Sequence, residues 1–210
     1  MDVESKFGEK VLNYKVIGRD KDIHKFIGKA LFVVTVGQIK DAVLRIKLHK
    51  LILDAGGKLA TIIASTAYVS KYSKIGEGTV VMHRAFINAG AEIGKSCIVN
   101  SFANIGHDVI IKDFCHISTG VMVSGNCKVG NETFLGSQST LVNGVEISDN
   151  CVIGAGSLVQ KSLKIKGIYA GNPAKPIIKL WLEKLLFEVR KKKLLKINRF
   201  MEKVLFIAVH

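Results

Sequence analysis

An aliphatic residue returns at every sixth position from Ile63 to Ile165, and nothing else in the 210-residue chain limits its fold so sharply. The series runs Ile63, Val69, Ile75, Val81 and onward through Ile153, Val159 and Ile165, without an insertion. Neither a helix period of ~3.6 nor a simple strand alternation produces it. Two places before these residues stands almost always a small or β-branched one, as in Ala85, Ala91, Cys97, Ala103, Cys115 and Cys127. Alternation along a strand sends both positions to one side, so both face an interior. Glycine often follows the aliphatic residue, as in Ile93-Gly94, Ile105-Gly106 and Leu135-Gly136. It is read here as the bend, where a Cβ would obstruct the turning chain. Each hexad is then a short strand plus a corner, and three hexads close a triangular coil of eighteen residues. Stacked coils pair every strand with its neighbours above and below, so the spacing predicts a parallel β-solenoid of about six coils, roughly 25 to 30 Å long.

The four cysteines, Cys97, Cys115, Cys127 and Cys151, all fall in the small interior slot. That placement predicts buried packing and neither a metal site nor disulfides. No stretch offers the ~18 apolar residues of a membrane span, and MDVESKFGEK is not a signal peptide, so the expected location is the cytoplasm. The net charge of +14 divides as +5 over residues 1–60, +3 over 61–175 and +6 over 176–210. The repeat segment is thus only mildly basic, and no nucleic-acid motif accompanies the charge. Three regions follow: a small α/β segment over 1–60, the solenoid over 61–168, and a terminal loop and helix over 169–210. Within the first, a strand is expected near Tyr14–Ile17, a short helix from Asp20, a strand over Ala30–Val36 and a helix over Gln38–Ala55, closed by Gly56-Gly57. In the last, Ile178, Leu182, Leu185 and Val189 with intervening Lys and Arg predict a basic amphipathic helix. Packing on the solenoid end or a trimer, peripheral contact with an anionic membrane surface, and a shifted reading frame are all open for it.

The hexad register places His107 and Asp108 at a corner just after Ile105-Gly106, projecting from an edge of the prism. His116 precedes the inward Ile117 and points outward from a strand. One coil is eighteen residues, so His107 lies beside Gly125 and His116 beside Phe134. Asn100, Ser118, Gly136 and Gly154 form a ladder of small residues, with Ser137 and Ala155 in the next column. Acyl transfer from a thioester requires a base, a donor for the tetrahedral oxyanion and a surface for the acyl carrier. Histidine with an adjacent carboxylate suits the first, because its proton affinity lies near working pH and the carboxylate orients the ring.

The repeat, with VNSFANIGHDVIIKDFCHIS over residues 99–118, resembles the hexapeptide-repeat acyltransferases. Within them it resembles sialic-acid O-acetyltransferase and the acetyltransferases for 4-amino nucleotide sugars. That resemblance implies a left-handed β-helix, a homotrimer with active sites between subunits, and acetyl-CoA as cosubstrate. The acceptor it implies is an amino sugar, nucleotide-linked, or a sialic acid hydroxyl, in surface glycan synthesis. It makes His107 the general base, Asp108 its acidic partner and the Gly125 amide the oxyanion donor. Asn100 and His116 would line the substrate and acetyl-CoA site, with Ser137 and Ala155 touching the coenzyme. The family carries a Rossmann-like domain ahead of the solenoid, and YKVIGRDKDI and LFVVTVGQIKDAVLRIKL look like its later part. Its opening strand and glycine-rich loop have no counterpart, so the amino-terminal domain is expected to be incomplete. Gly37 and Arg45 match a family Gly and Arg and are candidates for sugar-nucleotide contact; a helix-start turn and a solvated cation are the alternatives. Two other functions fit the same solenoid. A γ-type carbonic anhydrase would use zinc through His83, His107 and His116, although its H-x4-H spacing is absent. A non-catalytic paralogue would keep the scaffold without the sugar.

Overall fold

The computed structural model describes residues 7–177, so the amphipathic helix expected in the tail lies outside the described residues. Through Lys175 the chain forms one compact unit. Its body is a parallel β-solenoid of about 6 turns, with two-residue strands and a tight turn after each. The first face stacks Ile62–Ile63, Val80–Val81, Ile98–Val99, His116–Ile117, Phe134–Leu135 and Val152–Ile153. The second stacks Tyr68–Val69, Phe86–Ile87, Asn104–Ile105, Met122–Val123, Thr140–Leu141 and Leu158–Val159. The third stacks Lys74–Ile75, Glu92–Ile93, Ile110–Ile111, Lys128–Val129 and Glu146–Ile147. Every pairing among these named strands is offset by eighteen residues, as with Ile117 against Leu135.

The core is the pair of positions the repeat marks. Val81, Ile105, Ile117, Leu135 and Ile153 are fully buried, as are Ala91, Ala103, Cys97, Cys115, Cys127 and Cys151 in the small slot. The slot suits Cys and Thr for a reason beyond size. Their side chains donate to carbonyls of the next coil: Thr79 Oγ1 to Gly94 at 2.7 Å, Cys97 Sγ to Lys112 at 3.1 Å, Cys115 Sγ to Gly130 at 3.0 Å. Burial raises the pKa of the Cys115 and Cys127 thiols, so these are packing groups with a weak donor attached.

The glycines need a different account from the one their spacing implies. The left-handed residue of each corner comes three places after the inward aliphatic, and is often not glycine: Asp108 (φ 56), Phe114 (φ 57) and Asn126 (φ 58) occupy it. Glycine directly after the aliphatic is required instead by close approach of the next coil. A Cβ on Gly106 would lie 2.7 Å from the Gly125 nitrogen, and one on Gly94 would lie 2.7 Å from the Asp113 nitrogen. The repeat also ends early. Ile147 bridges Leu163 and Ile153 pairs with Tyr169, so the final coil is two residues short, and Ile165 is 73% exposed. Residues 160–162 cut the corner, and the buried Tyr169 closes the end of the core.

The segment ahead of the solenoid begins with a hairpin, Lys10–Val11 against Tyr14–Lys15, and a 3-10 helix, Asp20–Phe26. The expected strand over Ala30–Val36 shrinks to Leu31–Phe32, parallel to Lys58–Leu59. The helix, α1, spans Val43–Asp54 and starts five residues later than its hydrophobic pattern implies. Gln38 is engaged with the solenoid, and Asp41 Oδ1 accepts the Val43 N–H at 3.2 Å, which marks the helix start. Val34, Ile52 and Leu59 form a small second core, with Phe32 and Leu48 against it.

Candidate active site

The solenoid has three edges, one after each face. His107 and Asp108 stand on the second edge, in the turn after Asn104–Ile105. His107 Nδ1 lies 2.9 Å from Asp108 Oδ2, and the two side chains are 53% and 61% exposed. Asp108 takes the left-handed corner conformation and donates its N–H to the Ala89 carbonyl at 3.0 Å. Its carboxylate fills the space a Cβ on Gly90 would need. The neighbour of His107 one coil on is Gly125, whose own Cβ would sit 2.5 Å from His107 Nε2. The imidazole therefore lies flat against the Gly125 backbone. No backbone carbonyl among the described residues accepts the Gly125 amide. A base, its orienting carboxylate and an unclaimed backbone donor thus share one edge, which are the parts acyl transfer requires.

The other expected residues lie elsewhere on the prism. Asn100, Ser118, Ser137 and Ala155 belong to the first edge, separated from His107 by the second face. Ser118 Oγ and Ser137 Oγ meet at 2.9 Å, and Asn100 Oδ1 accepts the Ser101 N–H at 2.7 Å. Gly136 and Ala155 stack so closely that a Cβ on Gly136 would be 2.6 Å from the Ala155 nitrogen. His116 projects from the first face, as its register requires, but the segment before α1 covers it. Its Nδ1 is 2.8 Å from the Gln38 carbonyl, and its ring meets Phe134 edge-on at 5.2 Å. Burial lowers its pKa, partly opposed by the Gln38 carbonyl.

Arg45 requires a correction. Expected as a sugar-nucleotide contact or a solvated cation, it is 1% exposed. Its guanidinium donates to the Val34 carbonyl at 3.3 Å, the Val36 carbonyl at 2.5 Å and the Ser96 carbonyl at 2.6 Å. Beside it, His49 Nδ1 meets Ser96 Oγ at 2.6 Å. Arg45 is spent on joining α1 to the solenoid, and its Nε, which has no partner among the described residues, is buried away from any ligand phosphate. Gly37 is exposed, beside Gln38. The eighteen-residue spacing reaches Gly90, one coil before Asp108, but not Gln38, which carries no periodic signal. His83 is tied to Thr66 Oγ1 at 2.8 Å on the first edge. Among the described residues no three His, Cys, Asp or Glu side chains come together as a metal site.

The close packing of His107 on Gly125 gives a direct test. Gly125→Ala forces the imidazole off its seat, because the nearest atoms belong to that ring and not to backbone. Turnover is expected to fall roughly 10²-fold, with thermal melting near that of the parent protein. Full activity with the added methyl would show that the ring need not lie where it does.

The hexapeptide repeat of succinyl-transferase matches residues 127–161. The acetyltransferase domain of PglB from Neisseria gonorrhoeae, solved with acetyl coenzyme A, superposes with a TM-score of 0.76 at 30% identity, over 80% of this chain and 81% of that one. A variant of perosamine N-acetyltransferase from Caulobacter crescentus, solved with CoA and GDP-perosamine, gives 0.74 at 32% identity, over 80% of each chain. This chain belongs to the hexapeptide-repeat acetyltransferases. The solenoid is accordingly the left-handed β-helix of that family. Among curated proteins, chloramphenicol acetyltransferase from Klebsiella aerogenes is 41% identical over 56 residues, a stretch covering 27% of this chain and 27% of that relative. Mitochondrial gamma carbonic anhydrase 1 from Arabidopsis thaliana is 36% identical over 63 residues, which is 23% of its length. Matches this short follow the shared repeat and carry no chemistry.

Proposed function

We propose that the protein transfers the acetyl group of acetyl-CoA to an amino sugar carried on a nucleotide, or to a sialic acid hydroxyl, in surface glycan synthesis. The observation that carries this reading is the His107–Asp108 pair seated on the Gly125 backbone. His107 removes the proton as the acceptor nitrogen or oxygen attacks the thioester carbonyl. The Gly125 amide holds the oxyanion, the C–S bond breaks, and the thiolate takes up a proton to leave as coenzyme A. Relatives at 30% and 32% identity that hold acetyl coenzyme A, or CoA with GDP-perosamine, support the same cosubstrate and acceptor class here.

The division of residues between two edges bears on assembly. One chain offers the base on its second edge and Asn100, Ser137 and Ala155 on its first, so a complete site takes one edge from each of two copies. The second face between those edges is mostly apolar on its outer side, with Tyr68 stacked on Phe86 at 4.9 Å and Met122 exposed beside the polar Asn104 and Thr140. A homotrimer with sites between subunits satisfies both features, with His116 and the Ser137 column lining the coenzyme groove.

Calorimetric titration with coenzyme A, then with UDP-, GDP- and dTDP-linked 4-amino sugars in its presence, tests the reading. Coenzyme A binding followed by binding of one sugar is expected. No binding of coenzyme A would overturn the acetyltransferase reading. Coenzyme A binding with no sugar from the panel would remove the nucleotide-linked acceptor and leave sialic acid to be tried.

A further inference from the structure

One residue of the loop ahead of α1 makes two contacts with the solenoid. The Gln38 side-chain amide donates to the Phe114 carbonyl at 2.6 Å, and the Gln38 backbone carbonyl lies 2.8 Å from His116 Nδ1. A carbonyl oxygen only accepts, so the proton between them belongs to Nδ1. Burial, the largest influence on the ring, favours its neutral form; the Gln38 carbonyl pulls the other way, and the Arg45 charge adds to burial. A neutral imidazole protonated at Nδ1 has a bare lone pair at Nε2. That nitrogen is buried with no partner among the described residues. An unpaired buried acceptor is costly, so an N–H or O–H donor belongs against it.

We propose that Gln38 is a positioning residue for acyl transfer: its side chain anchors the loop on Phe114, and its carbonyl holds His116 as the Nδ1–H tautomer, presenting Nε2 to the coenzyme as a hydrogen-bond acceptor. The inference rests on the reading of His116 as part of the coenzyme groove. The fitting donor is an amide N–H, which the pantetheine arm of coenzyme A carries. A bare Nε2 cannot donate to the thioester oxygen, so stabilising that oxygen falls to the Gly125 amide. The loop before the solenoid thereby acts on the chemistry of a strand 78 residues away. The rest of the junction holds the loop in place. Arg45 binds the Val34, Val36 and Ser96 carbonyls, and the His49 ring packs edge-on against Phe114 at 5.1 Å.

The test uses the full chain labelled with nitrogen-15 histidine, with the His116 signals assigned by their loss in His116→Gln. The parent protein is expected to show a protonated Nδ1 and an unprotonated Nε2 near neutral pH. Gln38→Met keeps the length of the side chain and removes its donor. In that variant the ring should shift toward the Nε2–H form that free imidazole side chains prefer. The dissociation constant for coenzyme A should rise roughly tenfold, the scale of one lost hydrogen bond, with melting of the solenoid unchanged. An Nε2–H ring in the parent, or an unaltered ring in Gln38→Met, overturns the proposal. A ring that changes tautomer with no change in coenzyme A affinity overturns the positioning role as well. A parent protein that binds no coenzyme A defeats the acetyl-transfer reading instead, and the nitrogen shifts then decide separately whether Gln38 sets the ring.

Discussion

Replacing His107 by alanine is expected to lower kcat/KM by roughly 10²-fold or more, the scale of a lost general base, while the protein stays folded. The expectation follows from where the ring sits. It stands on an edge of the prism, more than half exposed, bound to Asp108 and laid against Gly125. It contributes nothing to the interior, which is built from the inward aliphatic and small-slot residues. Steady-state kinetics beside a thermal melt separates the two effects. Asp108→Asn should cost less, because it alters the setting of the base without removing it. The comparison is informative because Asp108 also has a structural place, in the left-handed corner with its carboxylate over Gly90. Equal losses at both positions, with a lowered melting point, would mean that the corner and not the base is what the substitutions damage. Unchanged turnover in His107→Ala would remove the base assignment.

The largest stability effect is expected at Arg45. Arg45→Met preserves much of the side-chain volume but strands three carbonyls, those of Val34, Val36 and Ser96, at a buried junction. Hydrogen bonds from a charged donor contribute about 1.5–3 kcal/mol each, and unsatisfied buried acceptors add their own cost. A loss of about 3 kcal/mol or more is therefore expected in denaturant unfolding. No carboxylate pairs with the charge among the described residues, and desolvation lowers the pKa of the guanidinium, which offsets part of what the hydrogen bonds contribute. The loss should be confined to residues 7–60, leaving the solenoid folded, so amide exchange would accelerate in α1 and not in the coils. Wild-type stability in Arg45→Met would show that the three hydrogen bonds only balance the cost of burying the charge.

The hexad repeat by itself determined the solenoid, its interior and the neighbours of each edge residue. A period of six with two inward positions has one compact solution, and pairing at an offset of eighteen turns position along the chain into position in space. That arithmetic placed His107 on Gly125 and His116 beside Phe134, and it identified the cysteines as interior before any contact was known. It failed where the repeat itself stopped being regular. Nothing in the aliphatic series marks the two residues missing from the last coil, because Ile165 still falls on the period while Leu163 takes the inward place. The glycines are visible in the repeat but their cause is not, since the distance between neighbouring coils, not the backbone angle, excludes a Cβ after the aliphatic residue. What only the tertiary structure decided is the junction of the amino-terminal segment with the solenoid. Gln38 meets Phe114 and His116 across 76 and 78 residues, and Arg45 meets Ser96 across 51. These contacts join a segment without a repeat to one with a strict repeat, so no spacing encodes them. Buried backbone carbonyls must nonetheless find donors, and only the folded chain shows that Gln38 and Arg45 provide them.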